Sequence, residues 1–89
     1  MLQPVQASRL KKDYRKAKKQ NKNMNKLVAI LRLLVNQDEL PARNRNHALS
    51  GNLIGYRECH IEPDWLLIDR IDDQKIVFER TGSHSELFR

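Results

Sequence analysis

Two hydrophobic periods follow one another along this chain. In the first third, apolar residues recur every three or four positions, the repeat of a helix with one buried face. Leu10, Tyr14 and Ala17 form a narrow stripe that predicts a helix over 9–20, with Ser8 placed to cap its start. Asn21 and Asn23 mark a break. Met24, Leu27, Val28, Leu31, Leu34 and Val35 then make a strong face, widened by Ile30 and Leu33, and predict a second helix over 24–35. Helices this close in sequence fold back as a hairpin. Residues 36–54 are polar, contain Pro41 and Gly51, and read as a long irregular connection. From Gly55 the pattern becomes that of strands over 55–62, 65–71 and 75–81, divided by the turn signals Glu62-Pro63-Asp64 and Asp72-Asp73-Gln74.

Leu66, Ile68, Ile76 and Phe78 supply one apolar set of this meander. The middle strand is apolar almost throughout, which predicts a central place covered on both sides. Residues 2–6 are a candidate edge strand, because Pro4 cannot complete a central ladder. Ser83-His84-Ser85-Glu86 has the S-x-x-E form of a capping box and predicts a helical turn over 83–88, anchored by Leu87 and Phe88. The order β-α-α-β-β-β plus a short helix predicts an α+β fold. Its N-terminal two-helix hairpin, about 9–35, packs on one face of an antiparallel sheet of three to four strands, with a short C-terminal helical turn.

Composition narrows the picture to one domain over 1–89, since 89 residues leave no room for a second core. Hydrophobic residues at 39% suffice for folding around a modest core. Cys59 is the only cysteine, so neither an internal disulfide nor a cysteine-based zinc site is available. No apolar run approaches the ~20 residues that span a membrane. The expectation is a cytoplasmic protein with no membrane partner.

Charge changes the picture more. The net charge is +6, and it is local. Arg9, Lys11, Lys12, Arg15, Lys16, Lys18, Lys19 and Lys22 stand against Asp13 alone, a segment of +7 on a body of −1. Such a block favours a polyanion through counterion release, hence nucleic acid or the ribosome. A solvated helix face is the plainer alternative. A membrane surface is less suited, because the segment lacks the bulky apolar stripe of an interfacial helix.

The candidate chemistry lies at the edges of elements. His47 falls in the long connection, His60 near the end of the first meander strand and His84 in the capping box. With Asp64 they could in principle ligate zinc, but none lies at the spacing of a zinc motif. Cys59 is better placed as a small core residue than as a nucleophile, since its neighbour His60 points to the opposite strand face. The three glycines, Gly51, Gly55 and Gly82, share no phosphate-loop spacing. Metal-free cleavage of RNA fits the residue types better. RNA brings its own nucleophile, the 2′-hydroxyl. Histidine and carboxylate suit the proton transfers, arginine the phosphate, and an aromatic ring an unpaired base.

Three segments then point to a family: His47-Ala48-Leu49-Ser50-Gly51, Gly55-Tyr56-Arg57-Glu58-Cys59-His60-Ile61-Glu62-Pro63-Asp64-Trp65-Leu66-Leu67-Ile68, and Glu79-Arg80-Thr81-Gly82-Ser83-His84-Ser85-Glu86-Leu87-Phe88. Together with the helical pair over 9–35 they closely resemble the YafQ-type toxins of the RelE/ParE superfamily. The resemblance implies a RelE-like fold and the toxin role of a type II toxin–antitoxin pair. It also implies cleavage of mRNA in the ribosomal A site without a cofactor. Carried over to this chain, His84 is the leading proton-transfer residue, with His60 and Asp64 as its acid or base partners. His47 helps position or stabilise charge, Arg80 stabilises the phosphate, and Phe88 and Trp65 orient the nucleotide. The basic helix would dock on ribosomal RNA of the 70S ribosome. The partner implied is a RelB/DinJ-type antitoxin, through which alone operator DNA would be bound. The chain departs from the family pattern at Ala48, where proline is frequent, and at Asp69, where tyrosine is frequent. Two other readings remain, a ParE-like inhibitor of gyrase and a plain RNA- or ribosome-binding module. Neither needs the histidine set.

Overall fold

The computed structural model describes residues 1–88; Arg89, the last residue of the expected domain, lies outside them. The elements are β1 (Gln3–Gln6), α1 (Ser8–Lys19), α2 (Met24–Val35), β2 (His47–Ala48), β3 (Arg57–Glu62), β4 (Trp65–Asp72), β5 (Lys75–Gly82) and α3 (His84–Leu87). Single 3-10 turns occupy Ala42–Asn44 and Gly51–Leu53. The strands form one five-stranded sheet in the order β1-β5-β4-β3-β2.

The α+β architecture matches expectation, but the sheet is larger and mixed. The meander β3-β4-β5 is antiparallel. The short N-terminal strand instead runs parallel to β5, with Gln3 opposite Lys75 and Gln6 opposite Phe78. The long stretch between them, both helices and then β2, β3 and β4, supplies the extended connection that a parallel pair requires. Pro4 sits at the edge, where its missing N–H is tolerated. The fifth strand, β2, has two residues and no periodicity to reveal it.

Ser8 does not cap α1. The N-cap is Ala7, whose N–H donates to Phe78 O at 3.0 Å, so pairing with β5 continues until the helix begins. Asn23 does cap α2, its side chain accepting from Asn25 N at 3.2 Å. Within α2 the buried line is Leu27, Ile30 and Leu34, while Val28 is left exposed. These residues join Leu10 and Ala17 of α1 in one core with Cys59, Ile61, Trp65, Leu67, Ile76 and Phe78 of the sheet. Leu66 and Ile68 are buried but fall outside that cluster. Side chains alternate along β4, and a bulge at Ile68/Asp69 shifts its register with β5. Leu66 and Ile68 therefore serve a different face from Ile76 and Phe78, and the four do not make one apolar set. Trp65 through Asp69 are all buried, as a central strand covered on both sides requires.

The long connection is tied down at several points. Leu40 is buried, Asn44 Nδ2 donates to His60 O at 2.7 Å, and Leu49 N donates to Tyr56 O at 2.9 Å. These bonds carry β2 to the outer edge of β3. Leu27, fully buried at the centre of the helical face, should show the strength of the core most directly. Leu27→Ala is expected to lower stability by about 2–5 kcal/mol in urea unfolding, through the forfeited transfer energy and the cavity left behind.

Candidate active site

The sheet edge at β2 and β3, the β3–β4 turn and the start of α3 bring the three histidines into one row. His47 on β2 is the register partner of Glu58 on β3, and Glu58 shares a strand face with His60 two residues on. Glu58 Oε2 lies 3.2 Å from His47 Nε2 and 3.7 Å from His60 Nε2. The His60 and His84 ring centroids are 5.6 Å apart, tilted by 57°. His84 reaches this place because the two-residue turn Pro63-Asp64 projects a carboxylate toward α3. Asp64 Oδ1 meets His84 Nδ1 at 2.8 Å and also accepts from the His84 backbone N–H at 3.0 Å. Those two bonds hold the Asp64 carboxyl below its ordinary range, the backbone bond contributing most.

Each of the three rings has its Nδ1 against an oxygen. His47 Nδ1 is 2.6 Å from Arg45 O, His60 Nδ1 is 3.3 Å from Pro63 O, and His84 Nδ1 faces Asp64. A ring nitrogen facing an acceptor carries the proton. The arrangement therefore leaves Nε2 of every ring as the nitrogen that can exchange one. His84 is half exposed, whereas His60 is largely covered.

The capping box is present: Ser83 Oγ accepts from Glu86 N at 3.2 Å, and Ser83 N donates to Glu86 Oε1 at 2.8 Å. Glu86 also pairs with Lys16, so α1 is clasped to the short helix that carries His84. The Lys16 side chain and the Ser83 backbone lower the Glu86 carboxyl to about 2. Phe88 follows directly, partly exposed, with its N–H donating to His84 O at 2.9 Å.

Two expected site residues stand elsewhere. Trp65 is 1% exposed; its ring is part of the core, with Lys22 Nζ 5.4 Å from the ring centre. A ring packed in this way has no face left for a base, so its expected substrate role gives way to a structural one. Arg80 is engaged by α1. Its Nε donates to Asp13 Oδ2 at 2.7 Å and its Nη2 to Asp13 Oδ1 at 3.2 Å, and Thr81 N adds a third bond to the same carboxylate. The Asp13 bond raises the Arg80 guanidinium above its usual range. Arg80 is thus a strap between β5 and α1, and no hydrogen bond among the described residues ties it to the histidines. Asp13, the one acidic residue of the basic segment, is turned inward by that strap. Arg9, Lys11, Lys12, Arg15, Lys18 and Lys19 stand toward solvent, Lys16 is held by Glu86, and Lys22 lies over Trp65.

Cys59 is fully buried and its thiol is pushed up to about 12, chiefly by burial. A thiol so held supplies no thiolate at neutral pH, which removes nucleophilic catalysis by Cys59. Glu58 is a site residue that the sequence pattern does not single out. Its position two residues before His60 is the available signal, but its approach to His47 depends on the two-residue strand β2.

Known proteins resemble this chain in sequence and in fold. Residues 2–89 match the family described as "Bacterial toxin of type II toxin-antitoxin system, YafQ". The chain is 47% identical over 78 residues to the mRNA interferase toxin YafQ of Escherichia coli K12, covering 86% of this chain and 85% of that protein. It superposes on the crystal structure of YafQ from E. coli BL21(DE3) with a TM-score of 0.94 at 39% identity, both chains fully covered. A chain of the E. coli DinJ–YafQ complex gives a TM-score of 0.92 at 40% identity, again with full coverage. Sequence and fold thus lead to one assignment: the chain belongs to the YafQ family of bacterial type II toxin–antitoxin toxins.

Proposed function

We infer that this chain is an mRNA interferase, an endoribonuclease that cuts mRNA in the A site of the 70S ribosome and so inhibits translation. The observation that carries the reading is the His84–Asp64 pair with the His60 ring 5.6 Å away. The 2′-hydroxyl of RNA attacks the adjacent phosphate, which requires one group to accept its proton and another to protonate the leaving 5′-oxygen. Two Nε2 atoms, on His60 and His84, supply the pair. The products are a 2′,3′-cyclic phosphate and a free 5′-hydroxyl. Asp64, held ionised by two hydrogen bonds, fixes the His84 tautomer and stabilises its protonated form instead of exchanging a proton itself. His47 extends the row and adds charge beside the phosphate. Arg80 can contribute only through the terminal nitrogen that Asp13 leaves. Phe88, exposed beside His84, suits stacking on a nucleotide.

The partner inferred is a RelB/DinJ-type antitoxin, by analogy with the E. coli DinJ–YafQ complex, with operator DNA reached only through it. The place of action inferred is the cytoplasm, where translating ribosomes work. No helix among the described residues is long and apolar enough to cross a membrane. The test is primer extension on a reporter mRNA with and without translating ribosomes. In-frame cuts that need ribosomes support the reading. Cuts of equal strength on naked RNA would replace it with a general ribonuclease, and no cuts in either arm would overturn it.

The basic helix makes a separate prediction. Replacing Lys11, Lys12, Lys18 and Lys19 together by alanine is expected to weaken ribosome binding. The slope of log K against log salt should become shallower by roughly 0.7–0.9 for each phosphate no longer engaged. Filter binding at several salt concentrations checks this.

A further inference from the structure

Glu58 has no part in the mechanism so far, yet it is the one carboxylate among the described residues that faces two of the three rings. It is 7% exposed, and its Oε2 lies 3.2 Å from His47 Nε2 and 3.7 Å from His60 Nε2. Both rings have Nδ1 turned to a backbone oxygen, so their Nε2 atoms are the ones presented to Glu58. Neither contact is a hydrogen bond, so the Nε2 lone pair is not taken up by the carboxylate, and a ring that takes up a proton gains a negative charge beside it.

We propose that Glu58 is a positioning residue that holds His47 and His60 on either side of one carboxylate and stabilises the proton His60 takes from the 2′-hydroxyl. This rests on the cleavage reading above and deepens it. The arrangement mirrors the His84–Asp64 pair, but from the opposite nitrogen. Asp64 anchors Nδ1 of a half-exposed ring by a hydrogen bond, while Glu58 places its charge beside Nε2 of a covered one. Burial strengthens the effect, because a carboxylate with little water around it interacts more strongly with a charge forming beside it. The other charged and titratable groups around His60 are His84 with Asp64 on one side, and Lys26, Arg43, Arg45 and Glu62 along the groove beside it. Lys26 and Glu62 pair with each other at 3.0 Å.

The test compares the wild-type chain with Glu58→Gln and Glu58→Asp on translating ribosomes, at saturating toxin and across pH. Glu58→Gln should lower the maximal cleavage rate roughly tenfold to a hundredfold, as the loss of an orienting partner does elsewhere. The toxin concentration at half-maximal rate should stay within about twofold, because ribosome docking uses other surfaces. The limb of the pH–rate profile that reports the accepting ring should move in Glu58→Gln and return toward wild type in Glu58→Asp. Imidazole 15N spectra of the wild-type protein supply a measurement independent of cleavage and of any variant's folding. They should show the neutral rings of His47 and His60 carrying their proton on Nδ1, with Nε2 the bare nitrogen on the Glu58 side. The opposite tautomer at His60 would overturn the proposal, as would a Glu58→Gln protein with wild-type rate and pH profile. A wild-type protein that cuts no mRNA would sink the cleavage reading, while the ring spectra would still decide where Glu58 acts.

Discussion

His84→Ala is expected to lower ribosome-dependent cleavage by about 10²–10⁴-fold, the range associated with a positioned general acid or base. Ribosome binding should remain, because the exposed residues of the basic helix lie outside the histidine row. The size of the effect follows from geometry. Asp64 holds Nδ1 through a 2.8 Å bond and a second bond to the backbone, so Nε2 is presented with little freedom to turn away. No neighbouring ring can take its place without moving, since His60 is itself tied to Pro63 O and covered. A substrate whose scissile 5′-oxygen is replaced by sulfur separates the possible roles. Sulfur leaves without a proton, so restoration of cleavage by His84→Ala on that substrate would identify His84 as the general acid. Persistence of the defect would assign it to the other proton transfer. Wild-type cleavage of ordinary mRNA by His84→Ala would refute the role altogether.

Asp69→Asn is expected to stabilise the protein at neutral pH. Asp69 is 1% exposed, its Oδ2 has no hydrogen-bond partner among the described residues, and burial pushes its carboxyl up to about 6 against the pull of Arg57. A folded-state value raised above the ordinary 3.8 means that the native state favours the protonated form. The group's contribution to stability is therefore greatest below about pH 4 and disappears as pH rises through 6. At pH 7 the penalty amounts to about 3 kcal/mol at most, from the difference between the two values. Asparagine has the same shape and no charge to desolvate. Urea unfolding should show a gain of about 1–3 kcal/mol at pH 7 and almost none at pH 4. Asp64 and Glu86, whose carboxyls are lowered, act in the opposite sense at acid pH and are common to both proteins. A gain of equal size at both pH values would show that the effect is packing rather than charge.

The helical half of the fold is legible in the sequence because its periodicity is local. The strong face of α2 and the Ser83–Glu86 capping box require only neighbours within one or two turns. Where long-range pairing decides, the sequence misleads. Ser8 has the side chain of a cap, yet the strand bond from Ala7 to Phe78 moves the start of the helix. Leu66 and Ile68 share a phase with Ile76 and Phe78 on paper, yet the pairing of Ile76 with Ile71 and of Phe78 with Asp69 puts the two sets on opposite faces. The site shows the same division. The residue types of the three histidines and Asp64 are readable, whereas the place of Glu58 is hidden in a pairing of only two residues. Arg80 gives no local sign of its partner, because Asp13 lies 67 residues away in the chain. Trp65 likewise joins Leu10, Ala17 and Leu27 in one core only once the helices have packed on the sheet.

The parallel seam between β1 and β5 sets an order on synthesis. Residues 3–6 leave the peptidyl-transfer centre early, but the strand they pair with is made after every other strand. Until residues 75–82 exist, β1 has no neighbour, β4 lacks one side, and His84 and its helix have yet to be added. An elongating polypeptide is consequently harmless to the message that encodes it for most of its own translation. Products that stop short of β5 should be inert and easily degraded, and the dose of toxin in a cell should count only chains read through to that strand.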